Sequence, residues 1–219
     1  MYKIPVAPSG KIYVKLDKRF NDEIITESGV RLFLDPTWRP EWNVCIHGEV
    51  VSIPHKLGNQ LENNGIMPVV EVGDKVYFSY QVALKEHRLF EVVNDDGTRS
   101  QYWMVDYFHI WCAIRNGNVI MVGGKVAVEP EQEIRDEKIG SIFVPENYRK
   151  NTSKKRGTLR FIGKPLEGEP YLDVLPGDTV VFPEKCAFLN EIEGKEFYLV
   201  DQMYLDAREV RKEELDICL

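Results

Sequence analysis

The side chains best suited to chemistry in this chain are few and scattered. Cys45-Ile46-His47 and His109-Ile110-Trp111-Cys112 bring thiol and imidazole groups within three residues of each other. Such groups can ligate zinc, but neither spacing is a strong zinc signature, and no C-x-x-C pair occurs. Buried thiols and hydrogen-bonded histidines are the commoner outcome. The four cysteines, Cys45, Cys112, Cys186 and Cys218, lie far apart, which fits reduced thiols better than a disulfide framework. No Ser-His-Asp set, phosphate-cradling loop or carboxylate dyad stands out. The expectation is a protein that is not an enzyme and holds no cofactor or metal. The other concentration of charge is the basic run Lys154-Lys155-Arg156. A net charge of −7 and the lack of interleaved stacking aromatics argue against nucleic acid as its partner. The same acidity argues against an anionic membrane surface.

What must position these residues is a β-rich chain. Its 219 residues are enough for one large domain or two small ones, and 43% hydrophobic with 29% charged residues supports a buried core in a soluble protein. Met1 to Pro8 has no apolar stretch of the signal-peptide kind, and no run approaches a membrane span. The expected setting is the cytoplasm. Short alternating runs, frequent Gly turns and no long helical pattern predict an all-β fold of small, partly closed barrels.

The runs occur twice. Gly10-Lys11-Ile12-Tyr13-Val14-Lys15 is answered by Gly124-Lys125-Val126-Ala127-Val128-Glu129, and His47-Gly48-Glu49-Val50-Val51 by Arg156-Gly157-Thr158-Leu159-Arg160. Val72-Gly73-Asp74-Lys75-Val76 is answered by Pro176-Gly177-Asp178-Thr179-Val180, and Trp103-Met104-Val105-Asp106 by Tyr198-Leu199-Val200-Asp201. The offset falls from 114 (Lys11 to Lys125) to 109 (Gly48 to Gly157), 104 (Asp74 to Asp178) and 95 (Asp106 to Asp201). Extra residues in the first copy therefore sit in its connections. Loops tolerate insertion and strands do not, so this drift predicts two copies of one fold. Asn116-Gly117 marks a turn at the join, which places domains at residues 1–116 and 117–219, the second with a short charged tail.

In order and spacing, the second copy resembles the GroES (chaperonin-10) family of co-chaperonins. The resemblance covers one whole family domain, and the first copy repeats it. It implies two tandem GroES-like, partly open β-barrels. It further implies a homo-oligomer, in all expectation a ring. That ring would cap the apical domains of a GroEL-type chaperonin in the presence of ATP and assist protein folding. The same fold also forms the catalytic domain of medium-chain alcohol dehydrogenases, but no strand-GxGxxG-helix unit for a nicotinamide cofactor is present.

The resemblance also assigns a docking element. The family carries a mobile loop with a Gly-flanked apolar tripeptide. Here that place is held by Gly140, Ser141, Ile142, Phe143 and Val144, followed by the polar, basic stretch 146–156, expected to be mobile. In the first copy the matching triplet is Leu32, Phe33 and Leu34. It is flanked by Arg31 and Asp35-Pro36, and the loop continues Thr37-Trp38-Arg39-Pro40-Glu41-Trp42. Two tryptophans and two prolines make this loop stiffer and more apolar. It either folds against its own domain or binds something else, and charge substitutions there are expected to matter less. Residues 55–66 resemble the family's roof hairpin, with Asn64-Gly65 as its turn; in the second copy residues 163–170 are too short for one. The rival reading is a structural or assembly protein, for example of a virus particle, that reuses the same barrel.

Overall fold

Alternation decides the first strand. In β1 (Lys11–Leu16) Ile12, Val14 and Leu16 are buried, while Tyr13 and Lys15 lie on the other, more exposed face. Buried on that face, β1 is flanked by β7 (Arg99–Asp106) and β4 (His47–Ser52), both antiparallel to it. The sheet is completed by β5 (Lys75–Phe78), β6 (Leu89–Val93), β8 (Ile110–Arg115) and β9 (Asn118–Met121), in the order β6-β7-β1-β4-β5-β8-β9. Between β1 and β4 the chain makes a separate hairpin, β2 (Glu23–Ile25) with β3 (Arg31–Phe33). In this computed structural model the residues described are 4–16, 19–26, 28–33, 35, 43–84, 89–93, 97, 99–134, 138–139, 142–143, 150–168 and 171–209.

The second sheet repeats the first. β10 (Lys125–Ile134) lies between β16 (Lys195–Asp201) and β13 (Lys150–Ile162). With β14 (Thr179–Val181), β15 (Phe188–Ile192) and β17 (Ala207–Arg208) the order is β15-β16-β10-β13-β14-β17. Between β10 and β13 sits its own small hairpin, β11 (Lys138–Ile139) with β12 (Ile142–Phe143). The chain divides into two compact units, residues 1–122 and 123–219. Asn116-Gly117 is the turn between β8 and β9, so the first unit runs a few residues past it.

The correspondence reaches single hydrogen bonds. Lys11 faces Asp106 and Lys125 faces Asp201 across the ladder. β1 is bulged against β4 between Tyr13 and Val14, and β10 against β13 between Ala127 and Val128. Tyr107 N–H donates to Gly10 O, and Gln202 N–H to Gly124 O. Gly73 N–H donates to Val50 O and Gly177 N–H to Leu159 O. Both glycines have positive φ, +93° and +102°, as the tight turn requires. The Asp that follows each accepts from a backbone amide three residues back, Asp74 Oδ2 from Glu71 and Asp178 Oδ2 from Leu175, which closes the turn from its far side.

In the first unit this turn is also tied by charge. Asp74, buried at 3% exposure, receives Arg115 Nε and Nη2, each at 2.8 Å, while Arg115 Nη1 reaches Glu71. The Tyr107 hydroxyl, whose pKa burial pushes up, accepts from the Val69 and Val70 amides. The Arg115 hydrogen bonds hold the Asp74 carboxyl below the usual carboxylate range, against burial. A group with a depressed folded pKa stabilises above its unfolded pKa, and that contribution is lost as pH falls through the folded value. Asp74→Ala is therefore expected to cost about 1.5–3 kcal/mol at neutral pH. The deficit in urea midpoint against the wild type should shrink as the pH drops below about 4, the ordinary carboxylate value. A deficit equally large at pH 7 and well below the carboxylate range would show that the charge is not what matters.

Neither sheet closes on itself among the described residues: β6 and β9, and β15 and β17, are end strands. The fold is thus mostly β, two antiparallel sheets with a few short helices. Each sheet has its own buried side. In the second unit Val126, Val128, Leu159, Val180, Phe182, Tyr198, Val200 and Leu205 pack together. Phe182 lies against Tyr198 with ring centroids 5.4 Å apart.

Three local expectations change. Asn64-Gly65 does not turn a hairpin; it ends a helical turn, Asn59–Asn63, with Gly65 at φ +73° and Ile66 N–H on Leu61 O. The same dipeptide serves a helix C-terminus as readily as a strand turn, because both need positive φ. Residues 207–208 are strand β17, paired with β14, while 210–219 fall outside the described residues. The basic stretch from Lys150 to Arg156 is strand, not loop. Its partner β10 carries Glu129, Glu131 and Glu133, although in register Glu129 faces Thr158, Glu133 faces Asn151 and Lys150 faces Ile134. Arg156 Nε pairs with Glu131 at 2.8 Å, and Arg160 pairs with Glu129. Surface pairs of this kind contribute about 0.2–1 kcal/mol each.

Candidate docking hairpins

The element that each unit carries between its first strand and that strand's partner is a β arm. In the first unit the ladder continues past the sheet: Phe20 bridges Val44, Asn21 N–H donates to Asn43 O, and Cys45 N–H to Arg19 O. The β2–β3 hairpin follows, in register Glu23↔Phe33, Ile24↔Leu32 and Ile25↔Arg31. Its turn is held by backbone bonds from Thr26 N–H to Val30 O and Gly29 N–H to Thr26 O. The Thr26 hydroxyl accepts from Val30 N–H, and Gly29 takes φ +80°. A Glu23–Arg31 pair at 3.7 Å, on the surface, adds little.

What sets this hairpin apart is the side chains it shows to solvent. Phe33 is 80% exposed, Ile25 60%, Val30 54% and Leu32 50%. Directly opposed residues of an antiparallel pair share a face, so Phe33 and Ile25 lie on one side of the ribbon and Leu32 on the other. Scattered single exposures need no explanation, but four apolar residues within nine, on one formed hairpin, make it the candidate element for contact with a partner. Leu34 and the tryptophan- and proline-bearing stretch 36–42 lie outside the described residues.

In the second unit the arm is longer. β10 and β13 stay paired out to Ile134↔Lys150, and β11 and β12 then pair Lys138↔Phe143 and Ile139↔Ile142. Of the expected docking set, Ile142 and Phe143 form β12, whereas Gly140, Ser141 and Val144 lie outside the described residues. Leu32-Phe33 and Ile142-Phe143 thus occupy the same place in the repeat, the return strand of the small hairpin.

In the Cys/His pairs the thiols are interior and His47 and His109 half-buried. Cys45 and Cys112 are buried. The Cys45 thiol donates to the His47 carbonyl at 3.3 Å, and the His47 ring leans on Tyr77 with centroids 5.4 Å apart. Among the described residues, no three His, Cys, Asp or Glu side chains gather as a metal site.

Reading the sequence alone missed Ile25 and Val30. A signal was present: Ile24-Ile25 and Val30-Arg31-Leu32 flank a Ser-Gly turn, the pattern of a hairpin whose apolar side chains outnumber what a two-stranded ribbon can bury. The fold and its arms define a mostly β protein built from two copies of one sheet topology, each copy carrying a small hairpin. No known family profile matches the chain.

Proposed function

We propose that this protein is a tandem co-chaperonin of the GroES type. Each sheet is read as a partly open, GroES-like barrel, and the β2–β3 and β11–β12 hairpins as the elements that dock on the apical domains of an ATP-loaded, GroEL-type chaperonin. Chains assemble into a homo-oligomeric ring that caps the chaperonin cavity in the cytoplasm. The nucleotide belongs to the partner, and the chain itself performs no catalysis.

The observation that carries this reading is the exposed apolar hairpin at the same position of a repeated topology. Burying side chains of this size gains roughly 1.5–3 kcal/mol each. Ordering a free segment costs about 1–2 kcal/mol per residue, so a hairpin that is already formed loses less on docking. Single hairpins bind weakly, and several in one assembly add through effective concentration. That combination suits a cap that must come off every cycle.

The test is direct. Mixed with a GroEL-type chaperonin, the protein is expected to co-migrate with it on a sizing column when ATP is present, and not without nucleotide. An absence of co-migration with ATP would leave the structural or assembly role as the better reading.

A further inference from the structure

The two arms leave their sheets differently. In the first unit the ladder between β1 and β4 pairs Lys15 with Glu49, and five residues further along each strand Phe20 bridges Val44. The two strands thus stay in step from sheet to arm. In the second unit Pro130 faces Gly157, and the next pair is Gln132 with Thr152. β10 has moved on by two residues there and β13 by five, so three extra residues of β13 sit at the base of the arm. Such an excess on one side interrupts an antiparallel ladder and bends it. Pro130 widens the gap, because it has no N–H to give. β13 keeps to its other neighbour through the break, with Arg156 facing Val181 and Phe182 N–H on Lys155 O. The arm, residues 132–134 and 150–152 with β11 and β12 beyond them, is therefore joined to its sheet by two strands with no ladder pair between the Pro130 and Gln132 positions.

Arg156 bridges this joint. Its Nε lies 2.8 Å from Oε2 of Glu131, the single β10 residue inside the break, and its Nη2 pairs with Glu209. Glu209 is fastened to the sheet, its N–H donating to Thr179 O of β14. One guanidinium thus ties the arm side to the sheet side, and its planar fork serves two carboxylates in a way that a lysine does not reproduce. In the first unit the same repeat position, before the matching Gly48, is His47, and its ring rests on Tyr77. An arm that continues its sheet in unbroken register needs no such tie. We infer that the second docking hairpin stands on a joint and that Arg156 is its positioning residue, holding the arm at one angle through Glu131 and Glu209. All three side chains are about half exposed, so the tie is a bias and not a lock. A bias reduces the ordering lost on docking and still lets the arm follow its partner. The joint is read from the ladder alone; the docking role of Arg156 rests on the co-chaperonin reading.

Amide hydrogen exchange on the full chain tests the joint. In Arg156→Gln the arm amides, at residues 132–134 and 150–152, are expected to exchange about fivefold faster, the factor to which about 1 kcal/mol of lost ion pairing corresponds. Glu131→Gln should act in the same direction, and raised salt should bring the wild type towards both variants. The Asn21 and Cys45 amides of the first arm should not respond, and the urea midpoint should stay where it is. Arm amides that exchange as in the wild type overturn the inference. So does faster exchange spread over β14 and β16, which would mark a general loss of stability. Affinity for an ATP-loaded, GroEL-type chaperonin should fall by a similar factor in Arg156→Gln, and Arg156→Lys should not restore it. Faster arm exchange with unchanged affinity would overturn the positioning role. Faster arm exchange in a protein whose wild type does not bind the chaperonin would leave the joint standing and remove the proposed function.

Discussion

Replacing Leu32 and Phe33 together by Asp is expected to weaken binding to an ATP-loaded chaperonin by at least about a hundredfold. Burial of two such side chains contributes roughly 3–6 kcal/mol in total, and a carboxylate placed in an apolar groove adds a further desolvation cost. Both residues are half exposed or more and touch little of their own unit, so the unfolding transition should stay where it is. The matched pair Ile142→Asp and Phe143→Asp, on β12, is the comparison. The sequence favoured the second hairpin as the stronger anchor, since its neighbours looked freer. The exposed side chains of β2–β3 are the reason to test the first hairpin beside it. Unchanged affinity in the Leu32/Phe33 variant, measured by calorimetry with ATP present, would remove this hairpin from the interface.

The second large effect is on stability. Gly48→Ala and Gly157→Ala should each destabilise their own unit by about 3 kcal/mol or more. Both glycines sit where a strand crosses its bulged neighbour. A methyl group at Gly48 would fall on the Lys15 carbonyl oxygen and 2.6 Å from Val14 Cγ1. At Gly157 it would fall on the Glu129 carbonyl oxygen and 2.8 Å from Val128 Cγ1. Backbone oxygen cannot rotate away, so the ladder itself must part. Alanine at Gly168, where nothing lies within 4 Å and φ is +83°, should cost only the smaller strain of a left-handed residue. Urea titrations of the three variants would check the order. Equal losses at Gly48 and Gly168 would show that crowding is not the cause.

Much of this architecture was legible because its signals come in pairs. A lone Gly-Asp before an apolar run says little; Gly73-Asp74 and Gly177-Asp178 at a consistent offset locate two equivalent turns. The glycines at 48 and 157 could be matched but not explained, since the carbonyl that forbids a side chain is 33 residues away at Lys15 and 28 residues away at Glu129. The stretch from Lys150 misled for a related reason: what makes it a strand is its pairing with β10, out to Ile134↔Lys150, which its own neighbours do not show. Asn64-Gly65 misled because positive φ is needed by more than one kind of turn. The apolar triplets were visible, but their strand character and the exposure of Ile25 and Val30 depend on a register that no single segment contains.

Each unit is assembled from one unbroken length of chain, and this has a consequence during synthesis. β1 is the first strand made in its sheet, yet one of its neighbours is β7, close to the far end of the unit. On the ribosome, β1 waits with a bare edge until residue 106 has cleared the exit tunnel. The first unit can then close while residues 123–219 are still being made. When β10 emerges it meets a finished sheet rather than a competing half-built one of the same pattern. Two copies of one topology in a single polypeptide are liable to exchange strands on refolding from denaturant, where both are exposed at once. Vectorial emergence removes that choice, so the yield of correctly paired protein should be higher from translation than from dilution out of urea.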